Sequence, residues 1–200
     1  MRPLDCQALM VRLNKIYTRT GDSGETGLAD GSRIRKDDPL GEAIGEGDGA
    51  NSAIGVALLH VTDAEVAAML RRVQNEMFDL GADLATPGED FAPTETTLRI
   101  VQPQIDRLEA EIDRMNESLE PLRNFILPGG EGGSADLHVA RSVVRRAERK
   151  AVGASGERAL NALVLIYLNR LSDHLFVAAR YVASSNGGDI LWRPGATRHD

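Results

Sequence analysis

The chain has 200 residues, 42% hydrophobic and 26% charged, with a formal net charge of −7. That length and balance support a full hydrophobic core, and the single cysteine, Cys6, excludes an internal disulfide and a cysteine-based zinc site. The negative sum argues against a whole-chain attraction to nucleic acid or an anionic membrane. No apolar run reads as long enough to span a bilayer and the first ten residues lack a secretory pattern, so a cytoplasmic setting is expected.

Residues 1–11 read as an extension ahead of the fold. Residues 14–36 are rich in Gly, Thr, Ser and Asp without helical periodicity, and predict a long loop with at most short extended pieces at 16–18. Structureless segments of this length inside a compact domain are usually functional. Asp37-Asp38-Pro39 then signals a helix start running to about His60. Gly45, Gly47 and Gly49 weaken it by about 1 kcal/mol each against Ala.

A second helix opens at Thr62-Asp63-Ala64-Glu65, with Val66, Met69, Leu70, Val73, Met77 and Leu80 at helical spacing, and ends from Gly81 through Ala85-Thr86-Pro87-Gly88. The third spans about 94–118, with Leu98, Val101, Ile105, Leu108, Ile112 and Met115 on one face; Pro103 should kink it or mark its true start. A connection over 119–135 leads to a fourth helix at about 136–152 and a fifth at about 157–183. The tail from 193 onward reads as irregular, with Ile190-Leu191-Trp192 as a docking point before it. The fold class is therefore all-α: a single domain over 1–200, built as a five-helix antiparallel bundle with an extended N-terminal ligand-binding loop.

Four segments carry polar chemistry. Thr18-Arg19-Thr20-Gly21-Asp22-Ser23-Gly24-Glu25-Thr26 offers hydroxyls, N–H groups and an arginine suited to phosphate oxygens, although an ordinary polar loop has the same composition. It lacks the Gly-Lys-Ser/Thr of a Walker A loop. Arg141, Arg145, Glu148 and Arg149 fall within about a third of a helix circumference at 100° per residue. Planar guanidinium groups suit a polyphosphate, and a solvated face is the alternative. Asn169, Asp173 and Arg180 share one face of an apolar helix, where a buried polar network with no function would read the same. Phe125-Ile126-Leu127-Pro128-Gly129-Gly130 is a packed turn or one apolar wall of a ligand site. Gly45-x-Gly47-x-x-Ala50 mimics a dinucleotide fingerprint, but no strand precedes it. His60, His138, His174 and His199 lack metal-ligand spacing, so no metal site is assigned to protein side chains.

Taken together, KIYTRTGDSGETGL (Lys15–Leu28), KDDP (Lys36–Pro39), FILPGG (Phe125–Gly130), HVARSVVRRAER (His138–Arg149) and YLNRLSDHLF (Tyr167–Phe176) resemble the PduO-type ATP:cob(I)alamin adenosyltransferases from about Arg12 to Trp192. The resemblance implies a homotrimer with active sites between subunits. It implies transfer of the 5′-deoxyadenosyl group of ATP to cob(I)alamin with release of triphosphate, using Mg²⁺, in exchange with a reductase and an adenosylcobalamin-dependent enzyme. It implies that Thr18, Arg19, Thr20, Gly21, Thr26 and Lys36 hold ATP from the loop, and Arg145, Arg146, Glu148, Arg149 and Asn169 from the bundle. Phe125 would cover the lower corrin face, and Arg141 would pair across the interface with Asp48.

Two departures stand out. The family's Gly-Asp-Lys-Gly is Gly21-Asp22-Ser23-Gly24 here, and a Val and a Glu of the first helix have become Gly47 and Gly49. The competing readings are a non-catalytic ATP or adenosylcobalamin carrier and a purely structural bundle.

Overall fold

A computed structural model describes residues 16–198. The expected N-terminal extension over 1–11 and the last two residues lie outside that range. The elements are a short hairpin, β1 (Glu25–Gly27) and β2 (Arg33–Arg35), then α1 (Pro39–Ala57), α2 (Ala64–Leu84), α3 (Gln102–Asn116), α4 (Ser134–Ser155) and α5 (Ala162–Ser184).

Local signals set the helix starts. The Asp38 carboxylate accepts the Leu40 N–H at 2.8 Å ahead of Pro39. Asp63 accepts from Glu65 and Val66, and Asn161 accepts from Leu163. Each satisfies a first-turn donor that has no partner within its helix. Pro103 marks the true start of α3, and the Gln104 side chain reaches back to accept the Val101 N–H at 2.9 Å. The expected helix over 94–118 is therefore shorter, because a proline ring suits a first turn better than an interior. Leu98 falls outside it and is exposed. Gly81 and Gly153 lie inside α2 and α4 rather than ending them. α5 begins at Ala162, later than expected, because Asn161 supplies the cap.

Side-chain pairs fix the helix directions. Glu42–Lys150 and Glu46–Arg146, both at 2.8 Å, run α1 against α4. Asn51 and Gln74 exchange side-chain-to-carbonyl bonds between α1 and α2. Arg114–Glu65, Arg72–Glu111 and Arg107–Glu76 run α3 against α2. Arg170–Glu109 and His174–Glu111 set α3 parallel to α5. The chain therefore alternates up and down, and the two odd-numbered helices α3 and α5, being neighbours, share a direction.

All five helices contribute to one core, with Ile54, Leu70, Leu80, Ile105, Leu108, Leu137, Tyr167, Leu168 and Leu171 at 2% exposure or less. Burying each such aliphatic side chain is worth about 1.5–3 kcal/mol. α1 is a full helix despite its glycines. Gly47 faces the core, where an added Cβ would stand 3.6 Å from Leu80. By length and composition α5 is apolar enough to cross a membrane; buried positions along it account for that character within the bundle core.

The N-terminal loop differs from expectation. Residues 16–18 form no strand; the extended pieces are β1 and β2, with Thr26 opposite Ile34. Asp30 accepts from the N–H and hydroxyl of Ser32, and Gly31 takes φ +83° in the turn. Ala29 donates to the Ala85 carbonyl, and Leu28 and Ile34 pack on the core, so the hairpin is tied to the end of α2.

Between α2, α3 and α5 lies a buried polar cluster. Glu111 accepts from Arg72 at 2.7 Å and from the fully buried His174 at 3.0 Å. Glu76 accepts the Tyr167 hydroxyl at 2.9 Å. Burial pushes the Glu111 carboxyl up, but the hydrogen bonds and charges of His174 and Arg72 outweigh it and hold it at about 2. A carboxylate depressed in the folded state adds stability above its ordinary value of 4.5 and loses it as pH falls toward about 2. Glu111→Gln should therefore cost about 1.5–3 kcal/mol at pH 7, and the gap to the parent should narrow between pH 4.5 and 2. Urea titrations of both proteins across that range check it.

Candidate functional site

The circumference of α4 is divided three ways. Leu137, Ala140, Val144, Ala147 and Ala151 face the core. Arg146 and Lys150 turn to α1 and are neutralised by Glu46 and Glu42. The remaining stripe carries Arg141, Arg145, Glu148 and Arg149. Arg145 and Arg149 are exposed and pair with no carboxylate among the described residues; Arg149 donates only to the Arg145 carbonyl, at 2.9 Å. Glu148 accepts the Asn169 amide of α5 at 3.0 Å, which sets that amide beside the stripe. Arg146 is thus engaged within the chain, whereas its two neighbours at i−1 and i+3 are available to an anion.

Asn169 and Asp173 are exposed, and Asp173 pairs with Arg170 at 3.1 Å. Arg180 is buried and bonds elsewhere, to Asp189 and the Glu120 carbonyl. The three do not form one buried network, because the helical offset from 173 to 180 carries Arg180 under the 120–127 loop.

The hairpin gathers the loop residues. Arg33 donates to the Thr20 carbonyl at 2.7 Å and pairs with Glu25 at 3.3 Å. The Thr18 and Thr20 hydroxyls meet at 2.9 Å. A Cβ on Gly21 would stand 3.3 Å from both the Lys36 Nζ and the Glu25 carbonyl, so the Lys36 ammonium lies directly against the Gly21 backbone. The Lys36 N–H reaches the Gly24 carbonyl at 2.9 Å. Arg19 adopts φ +63°, the one left-handed non-glycine among the described residues, with its guanidinium 5.7 Å from the Tyr17 ring. Such backbone strain concentrates at ligand-binding turns. Thr26 is half-buried in β1.

Among the described residues, no hydrogen bond or ion pair joins Thr18–Lys36 to the α4 stripe. Arg149 lines a cleft of about 410 Å³ with Lys150 and, from the start of α1, Asp37 and Pro39.

Phe125, Arg141 and Phe176 line a cavity of about 620 Å³ at the other end of α4. Phe125 is 76% exposed, a large apolar cost for a residue without a ligand. The Arg141 guanidinium lies 5.8 Å from the Phe176 ring, and its buried Nε has no partner. Burial, reinforced by Arg145, pulls the Arg141 pKa down from its ordinary value. His138 stacks edge-on against Phe176 at 6.1 Å, and burial plus Arg141 lowers its pKa, which favours the neutral ring. Asp48 is exposed on α1 and bonds to no described residue. Asp48 and Arg141 thus find no carboxylate–guanidinium partner within the chain.

One contributor was not expected from the sequence: Arg33 clamps the loop backbone, and Asp30-Gly31 between alternating residues is the hairpin signal that would have revealed it. The expected docking point Ile190-Leu191-Trp192 does dock, with Leu191 bridged to Ile126 and Trp192 edge-on against Phe125 at 6.0 Å, a partner that no local signature names.

Residues 16–182 match the cobalamin adenosyltransferase family. The chain belongs to that family. The corrinoid adenosyltransferase of Mycobacterium bovis is 49% identical over 193 residues, covering 95% of this chain and 98% of that protein. That of Bacillus subtilis is 40% identical over 189 residues, covering 91% and 94%. A single-residue variant of the PduO-type ATP:corrinoid adenosyltransferase of Lactobacillus reuteri, complexed with cobalamin and ATP, superposes with a TM-score of 0.80 at 37% identity, over 90% of this chain and 99% of that one. The five-helix bundle of this family member is thus the fold expected from its motifs.

The turn ahead of α4 is closely packed against the α1–α2 link. Gly133 caps α4 at φ +89°, and a Cβ there would stand 2.7 Å from the Val61 side chain and 2.9 Å from its backbone N. Gly133→Ala should cost about 2–5 kcal/mol, from left-handed strain and overpacking together. Chemical denaturation checks it; an unchanged midpoint would mean that the turn relaxes freely.

Proposed function

We propose that the chain is a corrinoid adenosyltransferase that moves the 5′-deoxyadenosyl group of ATP onto the cobalt of cob(I)alamin. The observation that carries this reading is the pair Arg145 and Arg149, without a carboxylate partner among the described residues, in a chain that also carries a strained, hydroxyl-rich hairpin. This is a polyphosphate-binding chemistry, in a chain whose relatives bear that activity in their names.

In the reaction, the cobalt(I) electron pair attacks the ribose 5′ carbon. A cobalt–carbon bond forms, and the bond from that carbon to the triphosphate oxygen breaks. Cobalt(I) becomes an alkyl-cobalt(III), and the leaving group carries away the electron pair and its negative charge. The cofactor-like substrate supplies the nucleophile, so the protein needs no nucleophilic side chain of its own. Its task is alignment and stabilisation of leaving-group charge.

Arg145 and Arg149 would hold the triphosphate, with Glu148 and Asn169 fixing the edge of that subsite. Thr18, Arg19, Thr20, Gly21, Thr26 and Lys36 would close on ATP from the hairpin of a neighbouring copy. The missing link between the two groups within one chain supports a site shared between subunits. Arg146 would act from the rim, tethered by Glu46. Mg²⁺ would travel on the ATP phosphates.

Asp48 and Arg141 would pair between copies in a homotrimer. Exposed apolar Val56 on α1, Leu59 just after it and Val139 on α4 support burial of this side against another copy. Phe125 would cover the lower corrin face and exclude an axial ligand. A cytoplasmic setting, one domain, a reductase that supplies cob(I)alamin and an adenosylcobalamin-dependent acceptor complete the reading.

An anaerobic assay with ATP, Mg²⁺ and chemically reduced cobalamin tests it. Formation of alkyl-cobalt absorbance with stoichiometric triphosphate is expected; binding of ATP without either product would instead favour a carrier. In the same assay Arg145→Ala should lose about 2–5 kcal/mol in kcat/KM, and Arg145→Lys should not recover it, because an ammonium cannot replace the planar fork. Near-normal turnover in both would make the stripe a solvated face.

Phe125→Ala should leave the ATP KM unchanged while abolishing four-coordinate cob(II)alamin, read by electron paramagnetic resonance with ATP bound. Persistence of that signal would reduce Phe125 to a turn residue.

A further inference from the structure

The geometry points to Trp192 as a positioning residue for Phe125, held in place by a C-terminal strap whose start is anchored to α5. This inference rests on the reading of Phe125 given above.

An exposed aromatic ring on a loop would sample several rotamers unless something restrains it. Phe125 is restrained by chain from the far end of the sequence. The segment around Leu191 pairs antiparallel with the segment around Ile126. Leu127 donates to the Ile190 carbonyl at 2.7 Å, and Trp192 donates to the Phe125 carbonyl at 2.9 Å. The Asn124 amide donates to the Trp192 carbonyl at 2.7 Å, while its oxygen accepts the Phe125 N–H at 2.8 Å. Backbone and side-chain bonds therefore fix residues 124–127 on both sides of Phe125.

The rings then meet edge to face, with centroids 6.0 Å apart and planes at 63°, within the range aromatic pairs favour. Trp192 thus closes off one direction of Phe125 movement and leaves its other side toward the cavity shared with Arg141 and Phe176.

Arg180 ties the strap down. It is 6% exposed, donates from Nε to Asp189 at 2.9 Å, just before the strap, and from Nη2 to the Glu120 carbonyl at 2.9 Å, just before the loop. One rigid guanidinium on α5 thereby fixes the start of both strands relative to the bundle. Fixing both strands to one helix converts a flexible turn into a defined ledge for Phe125.

The test compares Trp192→Ala, Trp192→Phe and Phe125→Ala in the full-length protein. The readouts are the ATP KM, the melting temperature and the fraction of four-coordinate cob(II)alamin with ATP bound. Trp192 is 42% exposed, so its replacement should leave the bundle folded. Trp192→Ala should lower the four-coordinate fraction relative to other forms by roughly 2- to 13-fold, the factor that one aromatic pair is worth. The ATP KM should hold, and Trp192→Phe should restore most of the signal.

Asn124→Asp, which keeps the acceptor for Phe125 but loses the donor to Trp192, should shift the signal in the same direction. A parent-like signal in Trp192→Ala while Phe125→Ala has none would overturn the strap and leave the Phe125 reading intact. A parent-like signal in Phe125→Ala would overturn that reading and this inference with it. A lower melting temperature with an unaltered signal would make Trp192 structural only and reject the proposal.

Discussion

An α-helix has one circumference, and at 100° per residue each side chain is committed to one neighbour. On α4 that constraint decides the site. Small and branched apolar residues take the core side, and Arg146 and Lys150 take the side facing α1, where Glu46 and Glu42 neutralise them. What is left over is a stripe whose one carboxylate, Glu148, is taken by Asn169, so Arg141, Arg145 and Arg149 pair with no carboxylate among the described residues. Three like charges in a row repel one another by a few tenths of a kcal/mol per pair. A fold tolerates that where an anion relieves it, which is the ground for the triphosphate subsite proposed above.

The hairpin presents a complementary problem. A glycine- and threonine-rich loop has little apolar surface with which to order itself, so its conformation must come from specific bonds. Ala29 to Ala85, Arg33 to Thr20 and the Lys36 N–H to Gly24 provide them, and Asp38 both caps α1 and receives Arg158 at 2.8 Å. Helix α1 thus begins where the loop is pinned. The Asp38 carboxylate couples the start of α1 to the link between α4 and α5.

At the opposite end of α4, glycine permits what other residues would block. Gly133 nests against Val61, and Gly132 lies so close to the Asn186 side chain that an added Cβ would collide with it. These contacts wedge the turn between the α1–α2 link and the end of α5. Upstream of this turn Phe125 stands exposed, although its ring would be better buried on hydrophobic grounds alone. It lines a cavity with Arg141, whose buried Nε has no partner among the described residues, which is the ground for the corrin-facing role proposed above.

The sequence by itself determined the five helices, the caps at Asp38 and Asp63, the core faces and the residue types from which a site is proposed. Those features depend on spacing within one helix or one turn, which periodicity and capping chemistry encode locally. Helix boundaries near Leu98 and Ala162 were legible only roughly, since caps and tertiary anchors such as Asn161 compete with periodicity there. Only the tertiary structure decided which arginines are free: Arg145 and Arg146 are adjacent in sequence, and their difference is the position of Glu46 on another helix. It alone separated Arg180 from Asn169 and Asp173, ordered the hairpin through Arg33, and brought Trp192 to Phe125. Such pairings join residues far apart in the chain, and no local pattern carries their distance.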